Sequence, residues 1–367
     1  MPERGAEGLG AGLEAAPPPA GAGEADHGAL LFSLARAIED TLGPHVPHDR
    51  PVALIDFPHA PNVGDSVIWL GALAFLARRG MRPCFTCSNR SYSRAALARR
   101  LGEGTILLTG GGNFGDLYPP HQELREAVVR HFPRNRILQL PQTIHFRSPE
   151  KLERARQVFD AHPDFTLLVR DAPSLALARE HFGAPSLLCP DMAFALGAQN
   201  RPDPPTHPVV WLARTDKESP ATPTPPTPAG VLKTDWLLDD VTPALKLNRR
   251  LARIAREVPS VRPLLQGTLS RTYAPVARER ARRGMRALGA GRAVVTNRLH
   301  GHVLCMLMGI PHVVLDNSYG KVRALYDAWT HASPLAHWET SEARALEQAL
   351  AMAGAGPQPR TPDTGGA

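Results

Sequence analysis

Residues 293–321 read AVVTNRLHGHVLCMLMGIPHVVLDNSYGK. A β-branched apolar run, a polar break, a helical run and a second apolar run predict strand, loop, helix, strand, loop. That alternation belongs to a parallel sheet whose crossovers are helices. It sets Arg298 and His300 at one strand-to-helix corner and Lys321 just past the next strand. Two permanent cations and a titratable imidazole near neighbouring strand ends suit a small, multiply charged anion.

Upstream the same rhythm holds. Candidate strands are VALIDF (52–57), PCFTC (83–87), TILLTG (105–110), RILQL (136–140), FTLLV (165–169) and SLLC (186–189). Segments such as SVIWLGALAFLARRG and SPEKLERARQVFDAH between them carry helical apolar spacing. From 208 on, VVWLA, GVLKTDW, RAVVTN and HVVLDN are the expected strands, with helices near 240–257, 274–288, 301–308 and 339–353. Two α/β domains facing each other across a cleft follow, with ligands beyond the carboxyl ends of the strands. The expected divisions are a disordered Gly/Ala/Pro/Glu tail over 1–28, a first domain over 29–200 and a Pro-rich junction and loop over 201–230. A second domain over 231–355 and a disordered tail over 356–367 complete the chain.

The chain has 367 residues, is 43% apolar and carries a formal charge of +7, enough apolar content for two cores and a bias toward anionic partners. Between Lys246 and Arg298 there are 14 Lys or Arg and two acids, Glu257 and Glu279. Phosphorylated substrate, anionic lipid or a solvated helix face would each account for them. Nucleic acid is disfavoured, because Tyr273 is the one aromatic there to stack on a base. Cys84 and Cys87 form a Cys-x-x-Cys without a second pair, so buried reduced thiols are expected rather than a structural zinc site. No apolar run reaches the roughly 18 residues of a membrane span, and no signal-peptide pattern opens the chain. A cytoplasmic protein is the expectation.

Several motifs fall at strand ends. In NVGD, Asn62, Gly64 and Asp65 form a βα loop where backbone can approach a ligand or simply cap a helix. In GGGNFGDLY, the run Gly110, Gly111, Gly112, Asn113 with Asp116 is too costly in backbone entropy for an ordinary turn and predicts a cradle for a polar ligand. It lacks the Walker and Gly-x-Gly-x-x-Gly orders, so ATP and NAD are not supported. In LPQTIHF, the proline should turn the chain at the sheet edge, leaving Gln142, Thr143 and His145 to face the cleft. Arg170 ends a strand; it either pairs with Asp171 or grips an anion with its planar fork. Asp191 ends the last strand of the first half, to take a proton or cap a turn. A helix beginning at Gly301 would put its amides beside His300, and a bound anion there would favour an imidazolium able to donate a proton. His302 is expected in packing or solvent.

With these motifs in this order the chain resembles the polysaccharide pyruvyl transferase family, over roughly residues 50–330. The landmarks are NVGD, GGGNFGDLY, LPQTIHF, VRDAPS, PDMAF, RLHGH and DNSYGK. The resemblance implies a GT-B-like α/β fold, two Rossmann-like domains with parallel sheets facing a central cleft, acceptor side first and donor side second. It implies phosphoenolpyruvate as donor and co-substrate, with no resident cofactor and no metal. Donor-binding residues would be Arg170 and Lys321, with Arg298 assisting, and the catalytic histidine His300. The general base is open among Asp65, Asp116 and Asp191. The implied product is a cyclic pyruvate ketal on a sugar of an exopolysaccharide or cell-wall glycan precursor, free or lipid-linked. A lipid-linked oligosaccharide acceptor would bring the protein to the inner face of the membrane. The alternatives are a GT-B glycosyltransferase using a nucleotide sugar and a non-enzymatic basic binding protein.

Overall fold

The computed structural model describes residues 22–216, 225–237, 239 and 241–354. Seven strands form the first sheet: β1 (Val52–Ile55), β2 (Phe85–Cys87), β3 (Thr105–Leu108), β4 (Gly111–Gly115), β5 (Ile137–His145), β6 (Phe165–Val169) and β7 (Ser186–Leu188). Their order is β2-β1-β3-β5-β6-β7, with β4 beside the second half of β5. The second sheet has β8 (His207–Leu212), β9 (Val231–Thr234), β10 (Gly291–Thr296), β11 (His312–Val314) and β12 (Ala336–Trp338), in the order β12-β11-β10-β8-β9. Every pairing in both sheets is parallel. The helices are α1 (Ala22–Leu42), α2 (Val63–Arg78), α3 (Arg94–Leu101), α4 (Pro119–His131), α5 (Pro149–Asp160), α6 (Ala172–His181), α7 (Pro243–Glu257), α8 (Arg262–Gly289), α9 (Leu299–Met308), α10 (Lys321–Leu325) and α11 (Glu342–Gly354). Two Rossmann-like sheets arranged in this way are the GT-B-like α/β fold.

Period-two side-chain alternation explains the layering. Leu54, Leu107, Val210, Leu212 and Val294 turn toward one core that α2, α8 and α9 share. Their strand neighbours Ala53, Ile55, Ile106 and Leu108 join a second core, and Val209, Trp211, Ala293 and Val295 a third. The middle core belongs to both sheets, so the halves are joined by apolar packing rather than by a tether alone. No described helix is long and apolar enough to cross a membrane. Cys87, Cys189 and Cys305 are buried and Cys84 half-buried, all of them free.

Several expectations need correction. The tail expected over 1–28 ends sooner: α1 begins at Ala22, and His27 is buried against the Met306 carbonyl (2.8 Å) and the Ser333 hydroxyl (3.1 Å). Residues 1–21 and the tail over 356–367 lie outside the described residues. The junction expected over 201–230 contains β8, which pairs with β9 and β10 and buries Val209 to Leu212; residues 217–224 lie outside the described residues. The proline of LPQTIHF does not turn the chain. β5 continues through Pro141 to His145, and its register with β6 shifts between Gln139 and Gln142. The Gly-rich run is itself strand β4.

Part of the basic stretch is structural. Arg280 donates to the Pro58 (2.9 Å) and His59 (3.0 Å) carbonyls, and Arg283 to that of Pro61 (2.9 Å). Both also bind Asp239, at 2.8 and 2.9 Å. They clamp the loop after β1 from the second half of the chain.

His302, now placed, is core. The His312 Nδ1–H donates to the Ile310 carbonyl (2.7 Å), so its Nε2 accepts from His302 Nδ1 (2.7 Å), and His302 Nε2 accepts from the Thr330 hydroxyl (2.7 Å). This relay needs both rings neutral. Burial, with His312 and His300 adding repulsion, pushes His302 well down; burial pushes His312 down to about 4. The unfolded chain therefore takes up protons first. The stabilisation is complete above about pH 6.5 and is lost as pH falls toward 4. The lowered His312 should by itself cost on the order of 2 kcal/mol by pH 5. Denaturant unfolding at pH 7.5 and pH 5 should show a larger loss for wild type than for His302→Gln; equal losses would remove the pair as the source.

Candidate active site

A cavity of about 230 Å³ opens between the two sheets. Most of its wall residues follow strand ends. Asn62 and Asp65 come after β1, Gly112 and Asn113 lie in β4 itself, Tyr118 and His121 come after β4, and Arg170 after β6. From the other half come Arg214 and Asp216 after β8, Trp236 after β9, Arg298 and His300 after β10, and Lys321 after β11. Parallel strands all point their carboxyl ends the same way, so these loops converge on one mouth.

Asp191 lies behind this wall with no exposure. Its Oδ2 accepts from Arg170 Nη1 at 2.5 Å and sits 3.4 Å from His300 Nε2; its Oδ1 accepts from the Ala193 amide at 2.9 Å. Burial opposes the carboxylate charge, but His300 and Arg170 outweigh it and hold Asp191 well below the usual carboxylate range. Arg170, 1% exposed, also donates to Thr143 Oγ1 (2.9 Å), and Thr143 donates to Asp171 (2.7 Å), which caps α6 through Ser174. Trp329 Nε1 donates to the Arg170 carbonyl at 2.8 Å. So Arg170 pairs with Asp191, not Asp171, and both chain halves grip it. His300 lies in the first turn of α9, which begins at Leu299 rather than Gly301. Its ring packs over Gly64, where any Cβ would overlap it, and a Cβ at Gly112 would come within 3.3 Å of Arg170 Nη2. These two glycines make room for the cation and the imidazole.

The opposite wall holds a pair that sequence motifs did not single out. His121 Nδ1 is 2.6 Å from Asp56 Oδ2. Burial alone would lower the imidazole, but Asp56 in contact and Asp65 nearby raise it. Asp56 has φ +80°, a left-handed conformation unusual for a non-glycine residue and common where a site over-determines the backbone. The available signal was one acid at the end of an otherwise apolar strand, VALIDF. Asp65 Oδ2 accepts from Asn62 Nδ2 (3.0 Å), whose Oδ1 caps α2 at the Gly64 amide (3.1 Å).

In the second half, Arg298 is forked onto Asp235 at 2.6 and 2.7 Å and reaches Asp216 at 3.3 Å. Arg214 binds Asp216 at 2.6 Å. Arg298 therefore lines the cavity with its charge largely matched by Asp235, and Arg214, Asp216 and Trp236 are wall residues that the motifs missed. The Lys321 backbone amide is held by Asn317 Oδ1 (3.0 Å), and its ammonium stands 5.1 Å from the Tyr319 ring.

Other expected contacts lie elsewhere. Asp191 is a buried support, not a base open to substrate. Asp116 accepts from the Arg147 and Ser148 amides, both at 2.9 Å, and does not line the cavity. Gln142 bolts β4 to its neighbours, donating to Thr109 (3.1 Å) and Asn113 (2.8 Å) and accepting from the Asn113 amide. Gly110 and Gly111 are not wall residues: the first is pressed against the Pro141 carbonyl, and the second has φ +128°. His145 packs at a tilt against Tyr319, ring centroids 5.2 Å apart, instead of lining the cavity.

The family model described as polysaccharide pyruvyl transferase matches residues 62–319. Pyruvyl transferase 1 of Schizosaccharomyces pombe is 33% identical over 298 residues, covering 78% of this chain and 71% of that protein. EpsO of Bacillus subtilis, itself only proposed to be a pyruvyl transferase, is 29% identical over 296 residues, covering 79% and 88%. A crystal structure of the uncharacterized Klebsiella pneumoniae protein KP1_0663 shares the fold. Its TM-score is 0.53 at 17% identity, over 84% of this chain and 99% of that one.

Removing Asp191 would leave a buried guanidinium unpaired. Asp191→Ala should cost about 3–5 kcal/mol in denaturant unfolding. A loss within ordinary surface-mutation scatter would contradict its place as the support of Arg170 and His300.

Proposed function

This chain belongs to the polysaccharide pyruvyl transferase family, an enzyme family of transferases, and we propose that it moves the pyruvate unit of phosphoenolpyruvate onto two hydroxyls of a sugar, as a cyclic ketal. The observation that carries the proposal is that Arg170, His300 and Lys321, from three strand ends and both halves of the chain, line one cavity. Phosphoenolpyruvate brings a carboxylate and a phosphate; a buried arginine fork and a compact ammonium are suited to those two groups.

In this scheme His300 delivers a proton to the methylene carbon, making the enolic carbon electrophilic. A sugar hydroxyl adds there as its proton leaves to a base. Asp65 is the carboxylate among the three candidates that reaches the wall, and it takes that role, with His121 facing the same space. The bond to phosphate then breaks, a second hydroxyl attacks the same carbon, and its proton leaves with the phosphate. One proton ends on the new methyl group and one on phosphate, so the balance needs no oxidant or reductant. Phosphoenolpyruvate is a co-substrate here, and no resident cofactor is assigned. The acceptor is a sugar of a polysaccharide precursor, free or lipid-linked, met from the cytoplasmic side.

His300→Ala should lower acceptor-dependent phosphate release by about 10²- to 10⁴-fold, the usual range for a general acid, with the folded structure kept by circular dichroism. Wild-type turnover would remove His300 from the chemistry. Lys321→Ala should chiefly raise the KM for phosphoenolpyruvate, and an unchanged KM would count against donor binding. Thermal shift separates the nucleotide-sugar reading, since phosphoenolpyruvate should stabilise the protein and nucleotide sugars should not.

A further inference from the structure

A second hollow, of about 820 Å³, runs along the outer part of α2 where α8 crosses it. Its floor is formed by the buried rings of Trp69 and Tyr273, with Leu73 and Leu196 beside them. Leu73 and Leu196 are only partly buried there, and the Trp69 indole N–H has no hydrogen-bond partner among the described residues. Four arginines edge it: Arg78, Arg82, Arg271 and Arg278. Arg82 and Arg271 are exposed, and no carboxylate is among the described residues lining the groove.

An apolar trough edged by guanidinium groups and free of acids is complementary to one class of molecule, a hydrocarbon chain that ends in an anion. A neutral chain would leave the exposed guanidinium groups of Arg82 and Arg271 without a countercharge from the bound molecule. A small anion would leave the trough empty. Burying alkyl surface gives about 0.8 kcal/mol per methylene, so a prenyl chain has much to gain here. The site also has a fixed relation to the cavity. Both lie on α2, and Trp69 is four residues past Asp65, an axial rise of about 6 Å.

We propose that this α2–α8 groove binds the hydrocarbon chain of a phosphorylated prenyl lipid, with the arginine edge taking its phosphate. The groove's chemistry stands apart from the phosphoenolpyruvate reading, and binding can be read without turnover. If the acceptor is lipid-linked, the groove would hold its carrier while the sugar enters the cavity.

The full chain would be titrated with farnesyl phosphate, farnesol and inorganic phosphate, following tryptophan fluorescence and calorimetry. Farnesyl phosphate should bind with the tightest affinity. Ala74→Trp, which fills the groove, should abolish that binding with the thermal midpoint kept. The double change Arg82→Glu and Arg271→Glu should weaken binding at least about thirtyfold, two charges at roughly 1 kcal/mol each. Phosphoenolpyruvate stabilisation should be unchanged in both variants. Three results would overturn the proposal: no binding of farnesyl phosphate, equal binding by Ala74→Trp, or a dimer that Ala74→Trp dissociates, which would make the groove a contact between copies.

Discussion

The site depends on one buried carboxylate. Asp191 sits at the end of the first half and holds Arg170 from its own half and His300 from the other. A charge with no exposure is tolerable only when matched and hydrogen-bonded. The Arg170 guanidinium and the Ala193 amide supply that here, with His300 Nε2 3.4 Å away. One side chain thus fixes Arg170, lies within ion-pair reach of His300, and brings the two sheets together at the point where chemistry is proposed. Trp329 adds a second tie by holding the Arg170 carbonyl.

The larger architecture serves the same point. A core shared by both sheets leaves little freedom for the halves to part by rigid-body motion without exposing Leu54, Val210 and Val294. Arg280 and Arg283 clamp the loop that leads to Asn62 and Asp65. Positions of cavity residues in the first half are therefore set by residues of the second half. Pre-organisation of this kind lets a hydroxyl pair and a donor be held in one geometry.

Much of this was legible in the sequence. The strand–helix alternation gave both parallel sheets, and RLHG, SYGK and VRD placed Arg298, His300, Lys321 and Arg170 at strand ends that do converge. Patterns failed where long-range pairing decides. A triple glycine reads as a ligand loop, yet Gly110 serves the close approach to β5 at Pro141 and Gly111 a left-handed backbone at φ +128°. Asp116 and Gln142 look like site residues because they follow a strand, and only pairing partners thirty residues away show them to be braces. The Asp56–His121 pair was hidden because its members are 65 residues apart. Arg280 and Arg283 look like free charge until the carbonyls of the first half are placed against them.

The central claim is the chemistry of the cavity. The most direct measurement incubates the wild-type chain with carboxyl-labelled phosphoenolpyruvate and a glycan-precursor acceptor, then follows label and phosphate together. Label in an acid-labile sugar ketal, with one phosphate released for each, is the result expected. Label that stays in phosphoenolpyruvate while the same chain transfers sugar from a nucleotide donor would contradict it.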